Sequence, residues 1–175
     1  MNKIASLVVT AILSVSGFAR ADAAPPPGSF APGFSLPDQN GKTRHFAEWR
    51  GQWLVLYFYP KDDTPGCTTE ANAFKNDLAK FAALKTQIVG VSLDSVASHK
   101  DFAAKHQLNF PLLADVDAAV SKQYGALSDF GVFRYAKRHT FLIDPEGRVA
   151  RSYLKVDADR HSAELLADLK ALSKP

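Results

Sequence analysis

The sequence predicts an α/β fold, a mixed central β-sheet with helices on both faces, preceded by an N-terminal β-hairpin. Three observations carry that expectation. Short apolar runs rich in β-branched and aromatic residues alternate with stretches of helical period. The last two strands flank a turn, so the sheet closes antiparallel. An Asn-Gly pair separates two short alternating segments near the start.

The elements follow in order. "FSLPDQNGKTRHF" turns at Asn40-Gly41 and reads as the hairpin. "QWLVLYFY", 52–59, is apolar throughout and reads as a central buried strand that Pro60 stops. A helix follows, with Cys67, Ala71, Phe74, Leu78 and Phe81 on one face and Lys75, Asp77 and Lys80 elsewhere. "QIVGVSL", 87–93, reads as a second buried strand. Ser95 caps a helix over 96–106. "FPLLAD" is a short strand, and 118–124 a short helix ending before Gly125. "RHTFLID" and "RVARSYLKV" flank the turn Asp144-Pro145-Glu146-Gly147. The last helix spans 159–172, with Leu165, Leu169 and Leu172 as its stripe. A thioredoxin-like architecture fits this order best.

The N-terminus reads as an export signal over 1–23. Lys3 precedes an apolar run from Ile4 to Ala19, and Ala21-Asp22-Ala23 offers an A-x-A cleavage site. The run is short and rich in small residues, which argues against a membrane span. No twin-arginine pair is present. The expected location is outside the cytoplasm, in a bacterial periplasm. Residues 24–33 are proline-rich and read as a short mature arm, and 34–175 as one domain. The whole chain carries +3. Losing Lys3, Arg20 and Asp22 with the signal leaves +2, too little to suggest nucleic acid. After signal removal no membrane contact is expected, and the chain is expected as a monomer or weak dimer.

Cys67 is the only cysteine in the chain. In an oxidising compartment paired cysteines persist as disulfides, so an unpaired one is either a reactive thiol or a buried small hydrophobe. Cys67 falls in the first turn of its helix, where free N–H groups and the positive end of the helix dipole favour a thiolate. It also lies in the apolar stripe, which points it into a pocket. Thr64, Pro60 and the Pro65-Gly66 bend sit around it. Each also has a plainer reading, as N-cap, strand terminator and first-turn proline.

"FYPKDDTPGCTTEA" resembles the active-site motif of peroxiredoxins, with their P-x-x-x-T-x-x-C core. The nearest likeness is to the bacterioferritin-comigratory, or Q-type, branch. "FSLPDQNGK", "VGVSLDSVASHKDFAAKHQLNFPLLAD", "YGA" and "RHTFLID" follow in that family's order and spacing. The resemblance implies a thioredoxin fold, reduction of hydrogen peroxide and organic hydroperoxides, and no metal or organic cofactor. It implies Cys67 as the peroxidatic cysteine, with Pro60, Thr64 and Arg138 completing the constellation. The chemistry asks for fixed donors along the S–O–O line, because negative charge moves from sulfur to the leaving oxygen. Arg138 supplies a permanent charge and a planar fork. Thr64 Oγ1 and the N–H groups of Gly66 and Cys67 are further candidate donors, and Glu70 is placed to fix the Arg138 fork.

The chain departs from many Q-type members at Asn72. That position, five residues after Cys67, is where they carry a resolving cysteine. With none here, the expected cycle uses one cysteine and an external thiol: glutathione, a glutaredoxin, a thioredoxin-like protein or an exported disulfide-exchange protein. Two alternatives stand beside it. A thiol–disulfide exchange protein would need the C-x-x-C pair that is missing. A peroxide sensor would be oxidised once without turnover. His45, His99, His106, His139 and His161 show no metal-ligand spacing. Trp49 and Trp53 read as core or rim residues.

Overall fold

The computed structural model describes residues 23–173. All but the last residue of the expected export signal lies outside them. The arm begins at that boundary and is ordered along the domain. Gly28 donates to Val149 O at 2.7 Å and Ala31 to Gly147 O at 3.0 Å, and Phe30 bridges Arg148 antiparallel. Gly125 explains how the arm can start so close. It sits at φ +62°, and a Cβ there would lie 2.4 Å from Ala24 N, so only glycine accommodates both the turn and the arm.

The hairpin forms as expected from β1 (Ser35–Pro37) and β2 (Thr43–His45), paired antiparallel with Leu36 opposite Arg44. A 3₁₀ turn, Phe46–Trp49, leads into β3 (Trp53–Phe58). Then come α1 (Pro65–Ala83), β4 (Thr86–Ser92), α2 (Val96–His106), β5 (Leu112–Ala114) and α3 (Ala119–Gln123). The chain continues through β6 (Leu127–Asp129), β7 (Arg134–Ala136), β8 (His139–Ile143), β9 (Val149–Tyr153) and α4 (His161–Leu172).

The main sheet has the order β5-β4-β3-β8-β9. β3, β4 and β5 run parallel, while β8 and β9 run antiparallel to their neighbours. β3 is central and its two faces are each covered by a buried cluster, which is why it is apolar on both faces. Val55, Tyr57 and Tyr59 look to one side and pack with Phe74 and Phe81 of α1 and Leu165 and Leu169 of α4. Leu54, Leu56 and Phe58 look to the other, with Trp49, Tyr124 and Phe141. Each such side chain contributes about 1.5–3 kcal/mol by leaving water.

Three details differ from the sequence reading. The hairpin β6–β7 was not expected, because "LSDFGVFRYA" lacks a clean alternation. Its tip leaves Phe130, Val132 and Phe133 exposed. The last helix starts at His161 rather than 159. Its stripe is Leu165, Leu166 and Leu169, while Leu172 is exposed.

Candidate active site

The loop after β3 delivers the chain into α1. Thr64 is extended (φ −80°, ψ 148°) and Pro65 opens the helix, so the proline lacks only an N–H that had no partner to give. The first backbone bond of the helix runs from Thr68 N to Thr64 O at 2.9 Å. The N–H groups of Gly66 and Cys67 precede it and stay available at the positive end of a 19-residue helix. Cys67 lies on the inward stripe, with 1% exposure. The thiol therefore points inward, away from water, into the apolar cluster that holds Tyr57 and Phe74.

Arg138 closes the site from the strand side, on the face of the sheet that α1 covers. It lies just before β8, which pairs with β3 so that His139 faces Phe58. Its Nη2 donates to Cys67 Sγ at 3.3 Å, and its Nη1 donates to Glu70 Oε2 in a close ion pair. Gly66 makes room for this fork, since a Cβ on it would lie 3.2 Å from Arg138 Nη2. Glu70 is one helical turn from Cys67 and has only 1% side-chain exposure. Burial pushes its carboxyl up to about 7, against the pull of the Arg138 guanidinium. Its Oε1 has no partner. Burial works against the charge on Arg138, but the charges of Glu70 and Cys67 outweigh it and hold the guanidinium above its ordinary range.

Cys67, Arg138, Glu70 and Gly66 are thus brought together as expected. Thr64 is next to them in the chain, but its hydroxyl donates to Lys61 O at 3.0 Å. In this state it offers a substrate lone pairs, not the donor that was expected. Pro60 is half-buried and lines a neighbouring cavity of about 490 Å³ with Lys61, Leu93, Asp94, Val132 and Phe133. Cys67 is not part of that lining. Asn72 is half-buried on α1 and off the inward stripe.

Sequence reasoning missed a polar cluster beneath the same loop. Asp62 accepts from Tyr59 OH at 2.7 Å, from Ser98 Oγ at 2.7 Å and from His99 Nδ1 at 2.9 Å. His99 is fully buried, and its Nε2 lies 3.2 Å from Leu113 O. The signal was present, since Asp62 stands inside the quoted motif. Only the fold shows that His99 lies beneath it. Among the described residues no group of His, Cys, Asp and Glu is arranged to hold a metal ion, and no helix is long and apolar enough to cross a membrane.

The chain is similar to known proteins over most of its length. The model of the AhpC/TSA family matches residues 27–152. The chain is 41% identical over 146 residues to a putative peroxiredoxin bcp of Coxiella burnetii, covering 81% of this chain and 97% of that one. It is 41% identical over 151 residues to peroxiredoxin Bcp of Bacillus subtilis, covering 84% and 96%. The crystal structure of a cysteine-to-serine variant of Xylella fastidiosa PrxQ superposes with a TM-score of 0.81 at 34% identity, covering 86% and 98%.

Proposed function

We propose that this chain, which belongs to the AhpC/TSA family and within it to the Bcp/PrxQ peroxiredoxins, runs its thiol peroxidase chemistry on one cysteine and is recycled by an external thiol. The observation that carries this is the single cysteine of the chain, set under an arginine donor at 3.3 Å. The Cys67 thiolate attacks the terminal oxygen of the peroxide. The S–O bond forms as the O–O bond breaks, and the bonding pair leaves on the distal oxygen, which takes a proton to become water or an alcohol. Sulfur is oxidised by two electrons to the sulfenic acid. An external thiol then displaces water to form a mixed disulfide, and a second thiol frees Cys67. Arg138 and the N–H groups at the start of α1 stabilise the charge that moves along this line.

The reductant is a small thiol such as glutathione, or a glutaredoxin or thioredoxin-like protein, and the substrates are hydrogen peroxide and organic hydroperoxides. The protein works after export, in a periplasm. The working form is a monomer or weak dimer.

Steady-state peroxide consumption with glutathione, dithiothreitol or a thioredoxin system tests the reading. Wild type should turn over many equivalents, and Cys67→Ser should fold yet consume essentially none. Wild type consuming one equivalent and stopping with every thiol would instead identify a sensor. Undiminished turnover in Cys67→Ser would refute the assignment outright.

A further inference from the structure

We propose that the buried Asp62–His99 pair is a latch on the loop carrying Pro60 and Thr64, and that it sets how readily the first turn of α1 opens to expose oxidised Cys67. The inference rests on the external-thiol reading, which requires a second molecule to reach a sulfur with 1% exposure beneath a guanidinium.

The latch is visible in how the loop is attached. β3 makes its last backbone bond to β4 from Tyr59 N to Val91 O at 3.1 Å. From there to α1 the loop is held mainly by side chains. Asp62 N donates to Asp94 Oδ2 at 2.9 Å, and Ser92 Oγ donates to the same oxygen at 2.7 Å. The Asp62 carboxylate gathers Tyr59, Ser98 and His99. Leu113 O can only accept, so the Nε2 of His99 carries a proton. A second proton lies between Nδ1 and Asp62 Oδ2, since two bare acceptors would not approach to 2.9 Å, and the pair has almost no access to water. Asp63 adds a second, exposed attachment to Lys105 Nζ at 3.0 Å and His106 Nε2 at 2.8 Å. His99 and His106 lie two turns apart on α2, so consecutive aspartates clamp the loop to one helix.

The loop is also held against its own preference. Asp63 has φ +56°, a left-handed conformation that a non-glycine residue adopts at a cost. Release of Asp62 would let that strain relax, and the freed segment continues directly into Pro65, Gly66 and Cys67. The buried partner is the one that matters energetically. Removing one member of a buried hydrogen-bonded pair leaves the polar atoms of the other unpaired, whereas an exposed pair contributes little.

Hydrogen exchange of the reduced protein tests the latch without any turnover. In Asp62→Asn and His99→Gln, amides 67–71 should exchange about tenfold faster or more, and the rise should exceed that in β3 and β4. Ser98→Ala, which removes one bond and no charge, should give a smaller rise in the same place. The double variant should be no faster than the faster single one, because the two residues act as a unit. A population argument predicts the kinetics. Raising an open form from about 0.1% to about 1% leaves the closed form almost complete. Dithiothreitol should then reduce the Cys67 sulfenic acid about tenfold faster, while oxidation by peroxide changes by less than about twofold. An equal rise across α1 and the sheet, or no rise in 67–71, would overturn the latch. Loss of thiol-dependent turnover in wild type would overturn the external-thiol reading and leave the exchange result standing by itself.

Discussion

At Arg138, one fork is asked to satisfy two anions. Nη1 is committed to Glu70 and Nη2 reaches Cys67 Sγ at 3.3 Å, so the carboxylate aims the donor that the thiolate needs. Arg138→Met keeps much of the bulk and removes the donor. The rate of Cys67 oxidation by peroxide, followed by stopped flow, should fall about 10²–10³-fold, the usual cost of one aimed donor. If it stays at the wild-type value, Arg138 has no role in the chemistry. Glu70 makes a separate prediction. Its carboxyl is raised to about 7 in the folded chain from 4.5. A raised carboxyl contributes stability that is present below about 4.5 and lost as pH rises to about 7. Glu70→Gln cannot titrate. Its stability relative to wild type, from denaturant midpoints, should therefore rise across that window, by at most about 3 kcal/mol. A flat difference would mean that Glu70 is ionised throughout. At this scale the sequence was readable at Cys67, where residue type and helix position point to the chemistry, and at Arg138 only through the family resemblance. It was not readable for the Thr64 hydroxyl, whose direction depends on where the loop places Lys61 O.

The element that decides the fate of the sulfur is α1. It runs unbroken from Pro65 to Ala83. In such a helix residues five apart have Cα atoms roughly 8–9 Å apart, beyond the reach of a disulfide at about 7 Å. Asn72→Cys therefore forms an intramolecular disulfide only when the first turn unwinds. Intact mass after one equivalent of peroxide should show a loss of two hydrogens. Persisting sulfenic acid beside a free introduced thiol would instead mean that the first turn stays closed on the timescale of the reaction. Elements with strong periodicity were legible. Of the α1 stripe as read, Cys67, Ala71, Phe74 and Phe81 are buried and Leu78 packs partly buried against them, because period 3.6 and burial are the same fact seen twice. The β6–β7 hairpin was not legible. It is a separate two-stranded sheet, and its exposed Phe130, Val132 and Phe133 carry no alternation from which to infer it.

Across the whole molecule the governing fact is one thiol in a fold whose central strand, first helix and β8 converge on it. The order of elements predicted the mixed sheet with helices on both faces, because alternating β and α with a closing antiparallel pair leaves few arrangements. It did not predict how deeply the thiol would lie, since depth depends on the Arg138 fork and the loop packing above it. A chain with one cysteine cannot close a disulfide within itself, and in the proposed cycle each oxidising equivalent leaves through another molecule. Intact mass spectrometry of the wild-type chain tests this most directly. One equivalent of peroxide should add one oxygen at Cys67, and glutathione should replace it first with a glutathione adduct and then with the starting mass. Peroxide consumed at the wild-type rate with no oxygen gained and no adduct formed at Cys67 would contradict the account.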